Sequence, residues 1–264
     1  MTLPNFLLIG AMKAGTTTLY EDLTHVPGVY LPPEKEPNDL ASSDVETDDG
    51  LQRYKAKFAA GAQNVARGDA STAYAKRPTY EGVAERALKL LGPDVKILFL
   101  TRDPIKRIVS QYHHLHGLGL ETRGFNEAVL NDESYVAYSR YEWQLETWRA
   151  AFGAENVLVL RFEDYIADRL NNLQQVCAFI GVAPPEGVDD THRNASEGKH
   201  VVKDGSAWAR FAHSNFYLYR IKPLIPTSAR DKIKAMLLPK TKKLDEALTQ
   251  ETLAELQRRL NPTQ

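Results

Sequence analysis

Asn5-Phe6-Leu7-Leu8-Ile9-Gly10-Ala11-Met12-Lys13-Ala14-Gly15-Thr16-Thr17-Thr18-Leu19-Tyr20 decides the architecture of this chain. Phe6–Ile9 is an apolar run of strand length, followed by a turn rich in Gly and Thr and then a helix expected over Thr16–Thr24. Such a turn points backbone N–H groups, hydroxyls and the positive end of a helix at one spot, which suits a phosphate or a sulfate. A Walker A loop requires Gly-x-x-x-x-Gly-Lys-Ser/Thr. Gly10 and Gly15 keep that separation, but Thr16 follows Gly15 and the lysine is Lys13, two residues before it. The loop therefore retains an anion site whose cation reaches in from another place.

A second segment lies about ninety residues further on. Val95-Lys96-Ile97-Leu98-Phe99-Leu100 is another strand-length apolar run, and it ends in Thr101-Arg102-Asp103-Pro104. Asp103 reads as an N-cap and Pro104 as the first helical residue. Arg102 thus stands at the carboxyl end of a strand, where open α/β sheets bind ligands, and Ser110 falls in the first two turns of the next helix. A guanidinium grips a phosphate with two prongs and a hydroxyl adds one more bond.

These segments resemble the sulfotransferases that use 3′-phosphoadenosine 5′-phosphosulfate (PAPS). Lys13-Ala14-Gly15-Thr16-Thr17-Thr18 is similar to that family's 5′-phosphosulfate loop, and Arg102-Asp103-Pro104 with Ser110 is similar to its 3′-phosphate motif. The resemblance runs from about residue 5 to 181 and weakens beyond. It implies an α/β fold like that of the P-loop NTPases, with a central parallel sheet flanked by helices. It also implies PAPS as donor, held by Lys13, Ala14, Gly15, Thr16, Thr17, Thr18, Arg102 and Ser110. In the polar loop Asn194–His200, Gly198 and Lys199 are the candidates to close over the 3′-phosphate.

Sulfuryl transfer needs a base at the acceptor, cations along the transfer path and a grip on both ends of the donor. Lys35-Glu36-Pro37 follows the extended Tyr30-Leu31-Pro32-Pro33 and places a cation and a carboxylate in one loop. Glycan-type members of the family carry a Lys-Glu pair here whose Glu is the base. The resemblance thus makes Glu36 the general base, with Lys35 and Lys13 stabilising the bridging and sulfuryl oxygens. A glutamate needs burial to act as a base at neutral pH and two nearby lysines oppose that, which gives Glu36 an orienting part as well. Relatives often continue with His and aromatics where this chain has Asn38-Asp39-Leu40, and Asp39 is a second choice of base.

Gly68-Asp69-Ala70-Ser71-Thr72-Ala73-Tyr74 resembles a family segment that lines the acceptor side, and equally suits a helix cap with a packed tyrosine. Ser139-Arg140-Tyr141 matches a family turn or simply a helix start. Arg161-Phe162-Glu163-Asp164 reads as structural, with its carboxylates capping the next helix and pairing with Arg161.

The chain has 264 residues, 43% hydrophobic and 25% charged, and is expected to form one domain over residues 1–264. A formal net charge of −1, with no basic run, argues against nucleic acid and against broad binding to acidic membranes. No stretch approaches a membrane span, and the chain starts directly at the domain where many glycan-sulfating animal relatives carry an anchor, so a cytoplasmic enzyme is expected. Cys177, the one cysteine, sits in an apolar pattern and reads as a packed thiol. Of His113, His114 and His116 only the first and last share a helical face, so no metal is expected. The acids of 39–49 read as a mobile solvated loop near the acceptor cleft, which as a lid would disfavour anionic acceptors.

Strands are expected at Phe6–Ile9, Ala66–Gly68, Ile97–Thr101 and Val157–Arg161. Helices alternate with them, including Leu51–Phe58 and Tyr80–Leu91. Beyond Asp190 the pattern becomes helix and loop broken by Pro223 and Pro226, with a last helix at Gln250–Leu260 that Thr249 caps and whose Leu253, Leu256 and Leu260 share a face. The functional expectation is sulfuryl transfer to a hydroxyl or amine of a glycan or other small molecule, because phenol-type relatives use a His base. Two rivals remain. A nucleoside-triphosphate kinase would need Lys after Gly15 and a strand-ending carboxylate for magnesium, where Thr16 and Arg102 stand. A non-catalytic binder of PAPS or its product adenosine 3′,5′-bisphosphate (PAP) would not need Lys13, Lys35 and Glu36 together.

Overall fold

The computed structural model describes residues 3–188 and 247–261. Gly198, Lys199 and the breaks at Pro223 and Pro226 lie outside the described residues. Five strands, β1 (Phe6–Gly10), β2 (Val29–Tyr30), β3 (Ala66–Ala70), β4 (Lys96–Thr101) and β5 (Val157–Arg161), form one sheet in the order β2-β3-β1-β4-β5. Every pairing is parallel. Central strands of a parallel sheet are covered on both faces and read as continuous apolar runs. All of β1 is buried, as are Ile97–Leu100 of β4. The four expected strands are present; β2 escaped notice because it is two residues long.

The helices are α1 (Thr16–Thr24), α2 (Asp48–Ala56), α3 (Val83–Leu91), α4 (Pro104–Gly117), α5 (Phe125–Asn131), α6 (Ser134–Ala137), α7 (Tyr141–Phe152), α8 (Phe162–Ala167), α9 (Arg169–Ile180) and α10 (Gln250–Leu260). Two starts differ from expectation by three residues. α2 begins at Asp48, because the Thr47 hydroxyl accepts from Gly50 N and caps the turn. α3 begins at Val83, because Gly82 bends the chain at φ 71°. The predicted Asp103 cap and Pro104 start of α4 are both present, with Asp103 Oδ1 accepting from Lys106 N at 2.8 Å.

The acidic stretch is folded, contrary to the expectation of a mobile loop. It forms short helical turns at Asp39–Ala41 and Ser43–Glu46 and then the start of α2. Basic residues of α2, α3 and the α2 exit hold it: Lys57 bonds Asp39 at 2.6 Å, Arg53 bonds Asp44 at 2.5 Å, and Lys89 and Arg86 bond Glu46 at 2.7 and 3.3 Å. These bonds keep the Glu46 carboxyl below its usual range, the Lys89 bond contributing most.

A second apolar cluster joins α4, α5, α6 and α10 through Ile108, Tyr112, Phe125, Val129, Tyr135 and Leu256. Thr249 caps α10 as expected, but its packed seam runs through Thr252, Leu256 and Leu260 and leaves Leu253 half-buried outside the cluster. His116 stacks on Tyr112 at 5.5 Å and His113 tilts against Phe125 at 5.8 Å. No helix among the described residues is long and apolar enough to cross a membrane.

Candidate active site

The carboxyl ends of β1, β3, β4 and β5 deliver the loops that converge on one region. After β1, Lys13 and Gly15 adopt φ values of 69° and 88°, two left-handed bends that fold the loop tightly. Ala11 N donates to Leu100 O at 2.7 Å and Ala14 N to Ala11 O at 3.0 Å. α1 starts from Gly15 with no side-chain cap, so the first amides of the helix are the orphan donors that an anion satisfies. Gly15 is also a close approach: a Cβ there would sit 2.1 Å from the Phe162 ring. Ala14 and Thr16 are buried, Thr18 is half-buried and Thr17 is exposed.

Carbonyls facing an anion would repel it, and two arginines of the β4–α4 junction engage those of this loop. Arg102 Nη1 donates to Lys13 O at 3.1 Å and Arg107 Nη1 to Met12 O at 3.4 Å. Arg107 is 0% exposed and also donates to Ser139 Oγ, Gln111 Oε1 and Tyr135 O at 2.5, 2.7 and 2.7 Å. It makes no ion pair among the described residues. Burial pulls its guanidinium down to about 10, against the opposing pull of Tyr141, Tyr138 and Tyr135. Arg102 is fixed by the Tyr141 hydroxyl, which donates to its carbonyl at 2.8 Å, and lies over the Phe162 ring at 5.4 Å. Arg102 Nε is buried without a hydrogen-bond partner among the described residues. Ser110 is half-buried on α4.

The loop after β2 and the turn after β3 meet this loop from the other side. Lys35 Nζ donates to Thr17 Oγ1 at 2.6 Å and lies 3.8 Å from Glu36 Oε1. Thr72 Oγ1 donates to Glu36 Oε2 at 3.1 Å, and Glu36 N donates to Ala70 O at 3.0 Å. Lys35, Glu36, Thr17 and Thr72 are therefore in contact, although they come from three separated segments. Asp39, the alternative base, is instead committed to Lys57.

Three residues were missed as site residues by sequence reading. Arg107, on α4, carries no local sign of its burial, although it stands four residues before the equally buried Gln111. Lys76 follows the buried Tyr74-Ala75. Burial pulls its ammonium below the usual lysine range, the Glu36 charge pulls it up and Arg107 pushes it further down, which puts it in electrostatic reach of both. Asp69 was noted only within its motif, yet is fully buried. Ser139 supports Arg107, and Glu163 Oε1 accepts from Asp103 N at 3.1 Å while Asp164 lies 3.9 Å from Arg161. Cys177 is buried and its thiol is pushed up to about 11 by burial, as fits a packed side chain.

The sequence profile of the sulfotransferase family matches residues 4–186, and the chain belongs to that family. Cytosolic sulfotransferase 14 of Arabidopsis thaliana is 31% identical over 101 residues, covering 34% of this chain and 28% of that protein. Heparan sulfate glucosamine 3-O-sulfotransferase 5 of Homo sapiens is 25% identical over 213 residues, covering 76% of this chain and 60% of that protein. The chain thus spans between 28% and 60% of the length of these curated relatives. The crystal structure of a sulfotransferase from Alicyclobacillus acidocaldarius superimposes with a TM-score of 0.65 at 24% identity, covering 99% of this chain and 96% of that one.

Proposed function

We propose that this chain transfers a sulfuryl group from PAPS to a hydroxyl or amine of a carbohydrate or other small molecule, in the cytoplasm, with Glu36 as general base. The observation that carries this reading is the contact of Lys35 with both Thr17 and Glu36, at 2.6 and 3.8 Å. It joins an anion-binding loop, a cation and a carboxylate, the parts that sulfuryl transfer needs.

The donor set suits a molecule with anions at both ends. The uncapped start of α1, the close approach at Gly15 and the hydroxyls of Thr16, Thr17 and Thr18 suit a phosphosulfate. The buried, unpartnered Arg102 Nε, with Ser110, suits a separate phosphate. When bound, PAPS supplies the sulfuryl group and a phosphate leaving group. Glu36 accepts the acceptor's proton on Oε1 while Thr72 holds Oε2. Lys35 and Lys13 offset the negative charge that develops along the path. The Lys-Glu element favours an aliphatic or carbohydrate hydroxyl, and the human relative named for heparan sulfate glucosamine supports a glycan.

The test is transfer of label from PAPS to a panel of glycans, alcohols and amines by wild type and Glu36→Gln. The expected result is turnover in wild type, lowered about 100-fold or more in the variant, which is the scale of general-base catalysis, with PAP affinity kept. PAP binding without transfer to any acceptor would mean a non-catalytic binder. PAP binding no tighter than AMP would reject the donor, and recovery of the chain with membranes on cell fractionation would reject the location.

A further inference from the structure

We infer that Asp69 is a positioning residue that sets the Lys35–Glu36 turn through two hydroxyl relays. Asp69 lies at the carboxyl end of β3 and is 0% exposed. Its carboxylate accepts from Ser71 Oγ at 2.7 Å, Tyr74 OH at 2.6 Å and Tyr54 OH at 2.9 Å. Two of these hydroxyls pass the bond on. Ser71 Oγ accepts from Asn38 N at 3.0 Å, and Tyr74 OH accepts from Leu40 N at 3.2 Å. Asn38 in turn donates from Nδ2 to Glu36 O at 2.9 Å. The relays therefore end on the segment that immediately follows the proposed base.

That segment needs holding. Glu36 and Asn38 both sit in the left-handed region, at φ 60° and 59°, which non-glycine residues adopt only when their surroundings impose it. A hydroxyl that donates to a carboxylate keeps its lone pairs for an incoming amide, so an acceptor-only group at the hub fixes the direction of both relays. Thr72, which holds Glu36 Oε2, lies between the two relay residues in sequence.

Asp69 has no ion pair among the described residues. Burial pushes its carboxyl up to about 6 and the charge of Asp39 adds to that, while Tyr74, Ser71 and Tyr54 pull it down. A buried carboxylate balanced by hydroxyls alone is costly, and its use here fits the directional task.

This inference rests on the role proposed for Glu36, so its test carries a readout independent of turnover. Hydrogen exchange of the peptide spanning residues 35–41, PAP affinity by titration, and kcat with the KM for PAPS are measured for Asp69→Asn, Ser71→Ala and Tyr74→Phe. The expected result is exchange of 35–41 at least tenfold faster and kcat at least tenfold lower, with PAP affinity and KM within threefold. Tyr54→Phe, which touches Asp69 but neither relay, changes that exchange less than threefold. Should Asp69→Asn fail to fold, the two single-relay variants decide. Unchanged exchange in them overturns the inference, as does a parallel loss of PAP affinity and melting temperature, which marks a general scaffold. If wild type transfers no sulfuryl group, the proposed function fails while exchange still judges the relays.

Discussion

The ammonium of Lys35 and the hydroxyl of Thr17, eighteen residues apart in sequence, are joined by a 2.6 Å hydrogen bond. Lys35 thereby spans from the first turn of α1 to the carboxylate of Glu36 beside it.

A cation shared in this way contributes most where negative charge develops during transfer. Lys35→Met is expected to lower kcat by about 100-fold or more, the scale of losing one electrostatic stabiliser. Lys35→Arg, which keeps the charge, recovers part of that loss. Steady-state kinetics with labelled PAPS checks both, and a Lys35→Met enzyme of normal kcat would place the cation elsewhere.

Arg107 has no carboxylate partner among the described residues but satisfies acceptors on four residues. Arg107→Met leaves the carbonyls of Met12 and Tyr135 and the amide oxygen of Gln111 without this donor. The Tyr135 carbonyl keeps the Ser139 hydroxyl at 3.1 Å, and each of the other two acceptors so stranded costs about 1–3 kcal/mol, so a loss of about 2 kcal/mol or more is expected in denaturant unfolding. PAP affinity should fall as well, since the freed Met12 carbonyl can turn toward the anion.

Gly15→Ala combines a φ of 88° with a Cβ 2.1 Å from Phe162. The strain alone costs about 1–3 kcal/mol. PAP titration should show affinity lowered at least tenfold, partly restored by trimming the ring with Phe162→Leu. Wild-type affinity in Gly15→Ala would mean that the loop tolerates another path.

Asp69 gives a pH prediction. Its carboxyl is raised from 3.8 unfolded to about 6 folded, so the folded state favours the protonated form. The stabilisation tied to that proton is full below pH 3.8 and is lost as pH rises through about 6. The shift corresponds to about 3 kcal/mol. Asp69→Asn does not titrate there, so the stability of wild type relative to the variant should fall by that order between pH 4 and 7. Urea unfolding across this range measures it; a constant difference would show that Asp69 titrates normally.

The β1–loop–α1 unit and Arg102 at the end of β4 were legible because apolar strands, a Gly- and Thr-rich turn and the Asp103 cap of α4 leave local signals. Lys35 and Glu36 were legible as a pair, but not their contact with Thr17 and Thr72, which only tertiary packing creates. Arg107 was hidden because burial of a charge has no local signature, and Lys76 because only packing brings it within reach of Glu36 and Arg107. The acids of 39–49 misled because their partners Arg86 and Lys89 sit on α3, about forty residues away. Arg53 and Lys57, closer by, were a usable clue.

The strand order puts β1 between β3, which carries Asp69 and leads to Thr72, and β4, which leads to Arg102. On the proposed function, recognition of the nucleotide and handling of the acceptor fall on opposite flanks of one central ribbon. Natural variation can then rewrite the β2–β3 flank for a new acceptor while the flank that grips the donor keeps its residues.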